Sequence, residues 1–190
     1  MSAKVPVGIS NRHVHLSKKD LELLFGNGHQ LTMKKDLSQP GQFAAVETVT
    51  LIGPKGSIPR VRILGPTRSQ TQVEVTLSDC YLLGVKAPVR DSGDLAGTPG
   101  ITIQGPAGKI DLAQGLIVAQ RHLHLQPAEA EKLGLKDKEY IKIKTGGERP
   151  LIFEQVLVRV RSDFIMDLHL DTDEANAAGL KNGDLVTIIN

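Results

Sequence analysis

The sequence predicts a mainly β protein built from barrels or sandwiches, and three observations carry that reading. Short β-like runs recur along the whole chain, turn residues break them everywhere, and helical pattern is confined to single short segments. The 19 glycines and 10 prolines gather in pieces such as Gly53-Pro54-Lys55-Gly56 and Gly105-Pro106-Ala107-Gly108, which read as hairpin and loop punctuation. Scarce helix and a length of 190 residues argue against a (β/α)₈ barrel. That length fits one domain or two small ones, and 40% apolar residues are enough for an ordinary core.

Taken in order, the first β-like run covers residues 5–9. Residues 45–52 and 60–64 follow, on either side of the first Gly-Pro turn. Residues 72–77 alternate cleanly: Val73, Val75 and Leu77 take one face, Gln72, Glu74 and Thr76 the other. A short run at 101–104 precedes the second Gly-Pro turn, and the C-terminal part adds runs at 140–144, 151–159, 164–169 and 185–189.

An internal repeat organises what lies between. Residues 10–20, SNRHVHLSKKD, align with residues 119–129, AQRHLHLQPAE, in polar and apolar positions alike. A third copy starts at His169 and runs into residues 178–186, as His124 runs into residues 133–141. Two residues after the last His of each copy stands a helix N-cap candidate, Ser17, Gln126 or Asp171. Three residues further comes an acid, Asp20, Glu129 or Glu174. That is the capping-box layout, although Gln is a poor cap and Asp20 a short arm. Pro127 suits a first helical position, while Gly134 and Gly179 stand where a helix needs a left-handed terminal residue. Each copy therefore predicts a strand ending at the histidines and a short helix starting at once.

Composition narrows the chemistry. One cysteine forms no internal disulfide and excludes a four-cysteine zinc ribbon. A formal charge of +2 without a basic run or interleaved aromatics is no nucleic-acid signature. No run is long and apolar enough for a signal peptide or a membrane span, so a cytoplasmic protein with neither nucleic-acid nor membrane partner is expected. There is no Walker A loop and no dinucleotide fingerprint.

Five of the six histidines fall in the repeat. Side chains at i and i+2 of a strand share a face, so His13 and His15 can converge on one ion, and so can His122 and His124. Two copies in matched context favour metal binding over ordinary polar residues at a sheet edge. Zinc asks for three or four protein ligands. His169, aligned with His15 and His124, is the natural third nitrogen for one pair. The other pair needs a carboxylate, for which Glu74 on its polar strand face is the best candidate, although the strand pattern alone reads it as solvated. Asp167 stands where the first His of a pair would stand, as a ligand, an acceptor behind a ligand, or a solvated strand acid. His29 reads as a loop histidine.

Residues 65–72 combine a turn, Arg68 and a row of hydroxyl and amide donors, which suits a phosphate or carboxylate. Residues 88–94, around Arg90, are a second such stretch. Cys80, in an apolar context without a nearby His-Asp arrangement, reads as buried packing.

Five segments, VPVGISNRHVHLS (5–17), GPTRSQTQVEV (65–75), PVRDSG (88–93), RHLHL (121–125) and MDLHL (166–170), resemble the PduL-type phosphate acyltransferases, the phosphate propanoyltransferase family. The likeness spans nearly the whole chain. It implies two small β-barrel domains capped by short α-helices. Residues 1–11 plus 120–190 would carry His122, His124 and His169, and residues 12–119 would carry Arg68 and Glu74. It implies interconversion of acyl-CoA (propanoyl-CoA or acetyl-CoA) plus phosphate with acyl phosphate plus coenzyme A, at a two-zinc site between the barrels. One zinc would be held by His13, His15 and Glu74, the other by His122, His124 and His169, with Arg68 orienting phosphate.

A homo-oligomer, dimer or higher, is expected, with Lys86 and Arg90 as the first candidates to contact coenzyme A. Family members packaged in bacterial microcompartments carry an N-terminal targeting extension. This chain reaches its first predicted strand at about residue 5, so a free cytosolic enzyme is expected. The expected mechanism is direct attack of phosphate on the thioester without an acyl-enzyme. The alternative is a dinuclear zinc hydrolase such as an acyl-CoA thioesterase. A non-catalytic module with structural zinc is disfavoured, because structural sites are closed and usually built from cysteine.

Overall fold

The computed structural model describes residues 3–189. Its elements begin with β1 (Lys4–Ser10), β2 (His13–His15), α1 (Lys18–Phe25), β3 (Met33–Asp36), β4 (Phe43–Ile52), β5 (Ser57–Gly65) and β6 (Gln72–Glu74). Then come α2 (Leu77–Leu83), β7 (Val89–Arg90), β8 (Thr102–Gln104), β9 (Lys109–Asp111), β10 (Leu116–Ala119) and β11 (His122–Leu125). The last are α3 (Pro127–Leu133), β12 (Tyr140–Lys144), β13 (Ile152–Val160), β14 (Asp167–Asp171), α4 (Thr172–Ala178) and β15 (Leu185–Ile189).

The chain divides into two compact units. One comprises the residues up to Asn11, Ser38–Pro40, and the chain from Gln120 onward; the other comprises Arg12–Leu37 and Gly41–Ala119. The first is a closed barrel in the order β1-β14-β11-β13-β12-β15. Its interior is filled by alternate residues, among them Val5 and Val7, Leu123 and Leu125, and Leu168 and Leu170. The second unit is a sheet in the order β7-β10-β6-β2-β5-β4-β8-β9, with β3 paired to β4. Its core includes Val14 and Leu16, Val73 and Val75, Ile63, Leu116 and Val118.

The mainly β expectation holds, and one of the two expected barrels is closed. The other is a curled half-barrel. Its end strands β7 and β9 have only 2 and 3 residues, too little ladder for closure.

The two units share a four-strand plan. In the barrel β11 pairs antiparallel with β14, while β13 and β1 run parallel to them on the outside. In the second unit β2 pairs antiparallel with β6, while β5 and β10 run parallel on the outside. Even an irregularity repeats: Arg60 in β5 and Gln155 in β13, at matching positions, have φ of 56° and 55°, each where the ladder slips register.

The predicted helices begin where the repeat puts them, after Ser17, Gln126 and Asp171, and Gly134 and Gly179 close α3 and α4 with φ of 68° and 66°. Asp20 is indeed short for a capping box. Its Oδ2 accepts from the Ser17 hydroxyl (2.8 Å) and from Thr71 Oγ1 (2.5 Å) but not from the Ser17 N–H, which donates instead to Thr71 Oγ1 (2.9 Å). The run read as a strand over 72–77 stops at Glu74. Thr76 caps α2, its hydroxyl accepting from the Asp79 N–H while Asp79 Oδ2 accepts from the Thr76 N–H. Alternation continues through a capping residue because N-cap backbone is extended, so the pattern does not show where the strand ends. The run at 164–169 likewise starts late, at Asp167.

Candidate metal and anion site

The antiparallel β2–β6 ladder sets His13 opposite Glu74, Val14 opposite Val73 and His15 opposite Gln72. Val14 and Val73 turn into the core, so by the two-residue strand period the other four side chains share the opposite face. His13 Nε2 lies 3.4 Å from Glu74 Oε2, and His15 Nε2 lies 3.9 Å from Glu74 Oε1. One candidate ligand atom from each of the three lies within 4.8 Å of the other two. All three residues are buried. Burial, helped by His13 and Arg68, pushes the His15 imidazole well below its ordinary range. Burial alone would raise the Glu74 carboxyl, but His13, His15 and Arg68 outweigh it and hold the group below the usual carboxylate range.

The β11–β14 ladder repeats the layout, with His122 opposite His169, Leu123 opposite Leu168 and His124 opposite Asp167. The three imidazoles face one another with centroids 4.6, 4.7 and 5.0 Å apart, and they too offer ligand atoms within 4.8 Å. His122 Nδ1 is 2.7 Å from the Gln120 carbonyl, which can only accept, so this nitrogen carries the proton and Nε2 keeps its lone pair. Burial, then His122 and His169, push His124 down to about 2. Neither ring nitrogen of His124 has a hydrogen-bond partner although both are buried. Buried nitrogens without partners are costly, and a cation that accepts a lone pair removes part of that cost. Three imidazoles crowded around one point therefore fit zinc, as do two imidazoles and a carboxylate.

The same local layout recurs in the four strands that carry these candidate ligands. His15, Glu74, His124 and His169 each stand two residues before a helix N-cap, namely Ser17, Thr76, Gln126 and Asp171. The arginine before each His-x-His reaches the acid of the partner strand's helix. Arg12 Nε lies 2.8 Å from both carboxylate oxygens of Asp79, and Arg121 Nε lies 2.6 Å from Glu174 Oε1. In each unit this pair ties the end of one ligand strand to the helix that follows the other.

Half-buried Arg68 follows β5, and its N–H donates to the Leu16 carbonyl (2.9 Å), just beyond His15. Its guanidinium donates to Ser92 Oγ (3.1 Å). Gln72 Nε2 donates both to Ser92 Oγ (2.9 Å) and to Glu74 Oε1 (2.6 Å), and Gln72 Oε1 accepts from the Gly93 N–H (2.8 Å). The two stretches read as anion-binding are thus joined to each other and to the first cluster through Gln72.

A family model described as phosphate propanoyltransferase matches residues 6–181. The chain belongs to the phosphate propanoyltransferase family. Phosphate propanoyltransferases similar to it include that of Thermotoga maritima, 59% identical over 96% of this chain and 88% of the relative. Those of Rhodopseudomonas palustris and Clostridioides difficile are 52% and 51% identical, over 97% and 98% of this chain and 82% and 90% of theirs. This is a family of acyltransferases, and the chain is an enzyme of that class.

For a phosphate propanoyltransferase family member, the remaining candidates sort simply. Cys80 is buried in α2, and His29 stacks on Phe25 and reaches Glu47 at 3.1 Å; it belongs to neither histidine cluster. Arg90 is exposed and lies 3.6 Å from Asp94, and Lys86 is exposed. Sequence reasoning put Gln72 and Ser92 in the two anion-binding stretches without giving either a partner, and it missed the two Arg-acid pairs. A signal was present: Glu74-Val75-Thr76-Leu77-Ser78-Asp79 is a fourth copy of the ligand-cap-acid spacing, hidden because Glu takes the place of His.

Proposed function

We propose that the chain is a zinc-dependent phosphate acyltransferase that interconverts propanoyl-CoA or acetyl-CoA plus phosphate with the acyl phosphate plus coenzyme A. The observation that carries this reading is the junction of His13, His15 and Glu74 with Arg68 through Gln72 and Ser92. His13, His15 and Glu74 would hold one zinc, and His122, His124 and His169 a second. When bound, zinc supplies Lewis-acid charge to the thioester carbonyl or the departing thiolate.

The chain's own residues do the rest. Arg68 offers a planar, permanently charged fork that binds phosphate and turns one oxygen toward the thioester. Ser92 holds that fork by accepting one of its N–H groups, so little ordering remains when phosphate arrives. The phosphate oxygen forms a C–O bond to the acyl carbon, the C–S bond breaks, and coenzyme A leaves as a thiolate that takes up the proton phosphate gives up. No side-chain nucleophile is required, in keeping with the burial of Cys80 in a helix.

The test is coenzyme A release from propanoyl-CoA and acetyl-CoA with and without inorganic phosphate. Release that depends on phosphate and yields acyl phosphate is expected. Equal release without phosphate would replace the transferase by a hydrolase.

A further inference from the structure

We propose that Asp167 is the positioning residue of the barrel's histidine cluster: it fixes the proton of His169 on Nε2, so that His169 meets a metal ion through Nδ1. The inference rests on the metal reading of His122, His124 and His169 given above.

Three observations carry it. First, Asp167 is buried, and its Oδ2 lies 3.0 Å from His169 Nε2. A carboxylate oxygen accepts, so the ring N–H donates and Nδ1 keeps the lone pair. His122 is held the opposite way, with its proton on Nδ1 facing the Gln120 carbonyl. A carboxylate behind a ligating imidazole fixes the tautomer and the ring and strengthens the ligand.

Second, the same place in the other unit is filled in matching chemistry. Gln72 stands opposite His15 as Asp167 stands opposite His124, and each lies two residues before the third candidate ligand. There the ligand is the carboxylate of Glu74, which needs a donor, and Gln72 provides an amide N–H at 2.6 Å. Here the ligand is an imidazole, which needs an acceptor. The partner changes with the ligand, as an orienting role requires and a solvated strand residue would not.

Third, β1 makes room for this carboxylate. Gly8 pairs with His169 in the parallel β1–β14 ladder, and a Cβ on it would lie 2.7 Å from Asp167 Oδ2 and 2.9 Å from Oδ1. The corresponding residue beside Glu74 is Ile117, so the gap is no requirement of the sheet and goes with Asp167.

The test uses the full chain as wild type, Asp167→Asn, Asp167→Ala and Gly8→Ala. Zinc affinity is measured by chelator competition, and the visible spectrum is recorded after loading with Co²⁺. Wild type should take up two ions. Asp167→Ala should still take up two, one of them bound about 10- to 100-fold more weakly, with an altered Co²⁺ spectrum. Asp167→Asn, which keeps an acceptor oxygen, should lose less. Gly8→Ala removes no polar atom yet should follow Asp167→Ala, because its methyl displaces the carboxylate. Wild-type affinity and spectrum in both Asp167→Ala and Gly8→Ala would overturn the inference alone. So would an Asp167→Ala chain limited to one ion at any metal concentration, since Asp167 would then be a ligand. A wild-type chain that takes up no metal would overturn the metal reading and this inference with it.

Discussion

Glu74 stands directly opposite His13 across the β2–β6 ladder, its Oε2 3.4 Å from His13 Nε2. The pair is buried, and Glu74 contributes the only carboxylate of the two clusters. Glu74→Gln keeps the shape but replaces an anionic oxygen donor with a neutral amide. Metal analysis of this variant should find the zinc content reduced from two to one per chain, with phosphate-dependent turnover lost. Two tightly held ions in the variant would show that Glu74 is not a ligand.

Arg68 should separate anion binding from metal binding. Arg68→Ala is expected to lower phosphate-dependent kcat/KM by about 10²-fold or more while both zinc ions stay bound, since its fork supplies charge to the anion and holds no metal. Cys80→Ala in the same assay should be nearly silent. A Cys80→Ala enzyme that folds and binds zinc but does not turn over would contradict direct attack by phosphate.

Arg12 and Asp79 make a prediction about stability. The Asp79 carboxylate is fully buried and Arg12 Nη2 lies 2.7 Å from it. Arg12→Met leaves that charge without its cation, which should cost about 3–5 kcal/mol in urea unfolding. Arg12→Met combined with Asp79→Asn should recover part of the loss. Equal loss in the single and double variants would mean that Arg12 stabilises by packing alone.

Metal removal should make stability sensitive to acid. In the metal-free protein burial is the largest cause that depresses His15 and His124, with neighbouring positive groups adding to it. The unfolded chain takes up a proton at each near the ordinary value of 6.5, while the folded chain resists. Below that pH the unfolded state binds more protons, so stability falls as pH falls, by up to about 1.4 kcal/mol per pH unit for each histidine. Chemical unfolding of chelator-treated protein at about pH 7, 6 and 5 checks this; a flat profile would contradict the burial of these rings as neutral groups.

The strand-helix junctions were legible in the sequence because they repeat. His-x-His followed by a cap and an acid appears in copies that support one another, and the capping chemistry of Asp171 with Glu174 is local. The closure of only one sheet was not legible, since it depends on which distant strands find partners long enough to pair. Glu74 stood out only as an acid on a polar face; its burial and its facing of His13 are long-range consequences of the β2–β6 register. Gln72 and Ser92 were legible only as polar residues of the two anion-binding stretches, because each acquires its partners only when β6 and the segment after β7 meet beside Arg68.

On the function proposed above, one strand-pair plan, used twice, builds two metal sites in a phosphate acyltransferase. An anomalous difference map from crystals of the purified chain, collected on either side of the zinc absorption edge, decides whether it does. Two zinc peaks are predicted per chain, one bounded by His13, His15 and Glu74 and one by His122, His124 and His169. A map with zinc-loaded crystals that shows no peak at either cluster, or a peak at only one, would contradict it.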